Sequence, residues 1–105
     1  MTPEAKVKKK VADALKKLGA YYFYPVTGGY GKSGVPDIVG CYEGKFFGIE
    51  CKAGKGKTTA LQEMNLKQIT ASGGISAVVN EDNVHTVADI LNEREVSERQ
   101  LAFDF

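Results

Sequence analysis

Asp37, Glu50 and Lys52 are the residues of this sequence best placed to do chemistry together. They lie in the stretch GVPDIVGCYEGKFFGIECKAG, with one acid directly after a proline and a second acid one residue before a lysine. If Glu43-Gly44 forms a two-residue turn, Tyr42 pairs with Lys45 and Asp37 falls directly opposite Glu50. Their Cβ atoms would then be about 5 Å apart on one face, with Lys52 further along it. A three-residue turn would instead bring Cys51 opposite Asp37. Facing acids repel, a cost that a divalent cation explains, because each carboxylate can give an oxygen to one Mg²⁺ or Mn²⁺. Lys52 beside such an ion can stabilise negative charge on a phosphate or hold an attacking water, which makes phosphodiester hydrolysis the expected chemistry. Taken singly, each residue has an ordinary reading: Asp37 as a turn acid, Glu50 and Lys52 as a solvated strand face. The combination is what points to a site.

The elements that must position these groups can be read around them. Thr2-Pro3-Glu4 opens a helix with a hydroxyl cap, a proline at the first position and an acid in the first turn, and Gly19 stops it after Leu18. Val7, Val11, Ala14, Leu15 and Leu18 share one side at helical spacing, and Glu4 lies on the same side. Glu4 could therefore complete a cation's coordination shell, directly or through water, or could simply complement the helix dipole. Lys6, Lys9, Lys10, Lys16 and Lys17 lie on the other side.

AYYFYPV (20–26) is aromatic and β-prone, and TGGYGKSG (27–34) is a glycine-rich loop carrying Lys32 and Ser33. Two strands follow, over roughly 36–42 and 45–52. The spacing predicts a second helix over 58–74, where Thr59 and Gln62 form a capping box and Gly73-Gly74 end it. ISAVVN (75–80) reads as a buried strand, and Asp82 or Asn83 can cap a third helix through about Glu93 with Val84, Val87, Ile90 and Leu91 inward. The tail 94–105 is assigned no element. The order is helix, three strands, helix, strand, helix, an α/β sandwich with a mixed sheet.

At 105 residues the chain is one domain, 1–105, with ordinary globular composition of 43% hydrophobic and 26% charged residues. Its formal net charge of +1 is unevenly spread. Residues 1–57 carry eleven lysines and five acids, and 58–105 carry three basic residues and eight acids. This split suggests one positive face for a polyanion, or equally a solvated helix. No apolar run is long enough to span a bilayer and no secretory signal is visible at the N-terminus, so a cytoplasmic protein is expected. Cys41 and Cys51 lack metal-site spacing and fall on opposite sheet faces, so they are expected to be two buried, unbridged thiols in a reduced compartment. Two apparent nucleotide motifs fail. Gly29-x-Gly31-x-x-Gly34 leads into a strand and not a helix, and Gly56-Lys57-Thr58 lacks the first glycine of a phosphate loop, since position 51 is cysteine. No nucleotide cofactor is expected. His85, the single histidine, is given no role.

Pro36-Asp37 followed by Glu50-Cys51-Lys52 resembles the PD-(D/E)xK nuclease motif. The leading helix with Glu4, GVPDIVG, IECKAG and the helix with Gln62 resemble the VRR-NUC branch of that superfamily, of stand-alone phage and bacterial type, across residues 4–91. The resemblance implies a restriction endonuclease-like core and a metal-dependent DNA endonuclease in a bacterial or phage-infected cell. By the same resemblance Asp37, Glu50 and the main-chain carbonyl of Cys51 would bind the metal, Lys52 would be the catalytic lysine and Glu4 the helix acid. Gln62 would be a second layer around the metal or a DNA-backbone contact. Stand-alone members are similar to Holliday junction resolvases, which implies a homodimer acting on branched DNA. Lys55 and Lys57, with Lys32 and Ser33, are the candidate phosphate contacts, or equally solvated loops. Two other readings compete: a non-catalytic nucleic-acid-binding module of the same fold, and a structural subunit whose acidic half recruits a partner.

Overall fold

The computed structural model describes residues 1–26 and 31–92. Four strands form one mixed sheet in the order β1-β2-β3-β4, with β1 Tyr21–Phe23, β2 Ile38–Tyr42, β3 Lys45–Cys51 and β4 Ile75–Val79. The first three are antiparallel neighbours and β4 runs parallel to β3. Helices α1 (Pro3–Leu18), α2 (Ala60–Ala71) and α3 (Val87–Leu91) flank the sheet, giving the α/β order expected and an arrangement consistent with a restriction endonuclease-like core.

Helix α1 begins where the Thr2 hydroxyl accepts the Ala5 N–H at 3.1 Å, and ends where Gly19 turns left-handed at φ 79°. Its inner residues Val7, Val11 and Leu15 pack with Ile38, Phe47, Ile49 and Cys51 of the sheet and with Val87, Ile90 and Leu91. Ala12 is buried as well, which the helical stripe did not anticipate. Each large side chain buried this way contributes about 1.5–3 kcal/mol. Helix α2 packs on the opposite face, where its Ile69 meets Gly48 of β3.

The β2–β3 hairpin has the tight turn its sequence predicts. Glu43 and Gly44 both have positive φ, 49° and 82°, as a two-residue type I′ turn requires, and Tyr42 pairs with Lys45. The ladder ends at Ile38 and Ile49, so Asp37, one residue earlier, continues the register opposite Glu50.

Four expectations are corrected. β1 covers only three residues of the predicted seven, and Pro25, which has no N–H to donate, follows directly after Tyr24. β4 lies at the sheet edge, with Val78 41% exposed, because its continuous apolar run serves one covered face and one partly open one. The third helix is a 3-10 turn over Val84–Thr86 followed by five residues of α-helix. Asn83 does not cap it, since its side chain accepts from the Asn80 N–H at 2.8 Å and donates to the Val78 carbonyl at 3.1 Å. The predicted end of that helix near Glu93 and the tail 94–105 lie outside the described residues, as do 27–30 of the glycine-rich loop. Of the two thiols expected to be buried, Cys51 is and Cys41 is not, because Cys41 pairs with the exposed Tyr21 and Phe46 near the turn of the hairpin; both are free. Among the described residues no helix is long and apolar enough to cross a membrane.

Candidate active site

The site forms where β2 begins and β3 ends. Asp37 is set there by the loop before it. Asn65 of α2 donates to the Ser33 carbonyl at 3.1 Å and to its own helix at the Leu61 carbonyl at 2.9 Å, which ties the loop to the helix. Gly34, at φ 75°, lies so close beneath α2 that an added Cβ would come within 2.6 Å of Leu61. Pro36 is buried and rests on Gly48, where a Cβ would meet its ring at 2.8 Å and Ile69 at 2.6 Å. The carboxylate that follows thus has little freedom of position.

Asp37 Oδ2 accepts the main-chain N–H of Cys51 at 2.8 Å. In a strand the N–H and C=O of one residue point the same way, so the Cys51 carbonyl is directed towards the Asp37 side of β3. Lys52 N–H points the other way, to the Val79 carbonyl at 2.9 Å, which agrees with that alternation. The other aspartate oxygen, Oδ1, lies 3.9 Å from the ammonium of Lys8 on α1.

Glu50 is only 2% exposed, and Lys52 Nζ lies 3.1 Å from its Oε2. Its Oε1 is buried with no hydrogen-bond partner. Leaving a buried carboxylate oxygen unpaired costs about 1–3 kcal/mol or more, a cost that a bound water or cation relieves. Burial, and then the Asp37 charge, push the Glu50 pKa up. The Lys52 hydrogen bond and charge, with a main-chain hydrogen bond from Asp37, act against that rise.

Each acid therefore has one oxygen in close contact with a donor of the chain and one without a hydrogen bond, the Asp37 one facing Lys8 at 3.9 Å. Among the described residues no three His, Cys, Asp or Glu side chains are gathered to hold a metal ion. The pair, with the Cys51 carbonyl beside it, fits a hard divalent cation that takes oxygen ligands and keeps waters or substrate oxygens, as Mg²⁺ and Mn²⁺ do. A closed cage of protein ligands is not what these residues form.

Glu4 lies at the exposed start of α1 and is not drawn into a three-acid cluster, although its charge reaches the Cys51 thiol. The helical stripe gives its side of the helix but not its depth. Gln62 accepts the Thr59 N–H at 2.9 Å in the capping box, so its oxygen is engaged at the helix start. Lys32 donates to Gln68 at 2.6 Å, and exposed Ser33 is held through its carbonyl. Lys55 and Lys57 are exposed on the loop after Lys52, which Gly54 N–H anchors to Glu81 at 2.8 Å.

Sequence reasoning missed Lys8, Asn65 and Gly48. Lys8 had one available signal: it stands one helical turn after Glu4, next to the buried Val7. No protein-family model matches the chain, and no curated protein matches it in sequence.

Proposed function

We propose that this protein is a metal-dependent endodeoxyribonuclease that hydrolyses phosphodiester bonds through Asp37, Glu50 and Lys52. The observation that carries this reading is the buried, unpartnered Oε1 of Glu50, a residue that the continued hairpin register sets opposite Asp37. A buried acid pair that keeps an unsatisfied oxygen fits a cation site better than a packing element. Asp37, Glu50 and the Cys51 carbonyl would hold the ion. A bound Mg²⁺ or Mn²⁺ supplies an acidified water and neutralises charge on the phosphate.

The chain's own groups do the rest. Lys52, held against Glu50 on a largely buried stem, presents an ammonium where the reacting phosphate gains negative charge. It also orients the attacking water, whose oxygen bonds to phosphorus as one phosphorus–sugar oxygen bond breaks. The leaving sugar oxygen takes up a proton, and the water's proton passes to solvent. Lys55 and Lys57, three and five residues beyond Lys52, supply cations for neighbouring phosphates, with Lys32, Ser33 and Gln62 as further backbone contacts on the α2 side.

Branched DNA, cut by a homodimer in symmetric pairs, is the substrate class that the motif resemblance favours. The test is cleavage of a labelled four-way junction and a matched duplex in Mn²⁺. Wild type should cut the junction in paired positions, and Lys52→Ala should cut neither. DNA binding without cleavage by both proteins would favour the binding-module reading instead.

A further inference from the structure

Lys8 stands on α1 one turn beyond Glu4, and its ammonium is 3.9 Å from Asp37 Oδ1. That is ion-pair range but too long for a hydrogen bond, and Oδ1 is the oxygen that Cys51 leaves untouched. The Lys8 side chain is 37% exposed, so it is partly hydrated and its flexible stem lets the charge move.

Asp37 and Glu50 are matched by Lys8 and Lys52 in two ion pairs, so the four groups are neutral together. A divalent cation on the acids leaves the cluster with an excess of two positive charges, which calls for an anion. The same cation must contend with Lys8 for Asp37 Oδ1.

We propose that Lys8 is a phosphate-contact residue that serves as the counter-ion of Asp37 in the cation-free protein. When a divalent cation takes the carboxylate, the ammonium transfers to a backbone phosphate of the nucleic acid. The inference rests on the nuclease reading and adds a coupling to it. Cation and polyanion each remove the other's competitor, so each tightens the other's binding by the same factor.

Lys8→Met, which keeps chain length and helix propensity, and Lys8→Arg, which keeps charge, test this. Ca²⁺ titration of the DNA-free protein by calorimetry should show Lys8→Met binding about fivefold or more tighter than wild type, with Lys8→Arg near wild type. Anisotropy of a labelled four-way junction should show Ca²⁺ tightening DNA binding in wild type and several-fold less in Lys8→Met. A Lys8→Met titration superimposable on wild type overturns the proposal, as does an unchanged Ca²⁺ effect on its DNA binding. If wild type takes up no Ca²⁺, or Asp37→Asn takes up as much, the nuclease reading fails and this inference with it. Asp37-dependent uptake that is indifferent to Lys8 removes the inference alone.

Discussion

The Asp37 carboxylate accepts the main-chain N–H of Cys51 at 2.8 Å, so the acid at the start of β2 is fastened to the backbone that carries the acid of β3. This bond fixes the two carboxylates relative to each other. It also uses only one oxygen of Asp37, and the other lies 3.9 Å from the Lys8 ammonium.

Asparagine at position 37 can keep that bond while losing the charge. Asp37→Asn should fold like wild type and lose its stabilisation by Mn²⁺. At about 100 times Kd the wild-type gain is about 2.7 kcal/mol, which is about 10–20 °C in Tm for a domain of this size. Thermal melts with Mn²⁺ and with EDTA measure it. Equal shifts in both proteins would place the ion elsewhere.

Glu50 predicts an inverted pH dependence. Its folded pKa is raised above the ordinary 4.5, by burial first and the Asp37 charge second. A group raised in this way favours folding below its ordinary value, and the contribution is lost as pH rises through the folded value. In EDTA, Glu50→Gln should therefore match wild type near pH 4 and exceed it increasingly towards neutrality. Urea titrations across that range decide it, and a Glu50→Gln protein weaker than wild type at neutral pH contradicts the reading.

Gly48 lets Pro36 and Ile69 rest on the β3 backbone. A methyl there presses on the proline that precedes Asp37. Gly48→Ala should cost about 1–3 kcal/mol by overpacking and also weaken Mn²⁺ binding. Denaturation and calorimetry on the same sample would show both losses, and a loss of stability with unaltered Mn²⁺ affinity would mean that Pro36 does not set the acid.

The two thiols should behave differently. Cys51 is buried, and burial, followed by the charges of Asp37 and Glu50, pushes its pKa up to about 12, whereas Cys41 is exposed. A thiol-reactive dye should label one cysteine in the native protein and both after denaturation. Peptide mapping should place the native label on Cys41, and labelling of Cys51 at a comparable rate would argue that the end of β3 opens readily.

The hairpin register was legible because a two-residue turn fixes every pair after it, and Glu43-Gly44 has the residues for one. The capping signals of α1 and α2 were legible for the same local reason. Glu4 and Lys8 were not, because a helical wheel gives a residue's side but not how far the helix projects past the strand ends. The edge position of β4 was hidden too, since an apolar run does not say which neighbour a strand will have. The burial of Glu50 depends on long-range packing around β3, which no spacing within the motif encodes.

The proposed chemistry requires a divalent cation on Asp37 and Glu50. The most direct measurement is anomalous diffraction at the manganese edge from crystals grown with Mn²⁺. A single strong peak within coordination distance of Asp37 Oδ1 and Glu50 Oε1, absent in Asp37→Asn crystals, is the result predicted. Well-ordered carboxylates with no peak between them, at Mn²⁺ concentrations that stabilise the protein in solution, would contradict it.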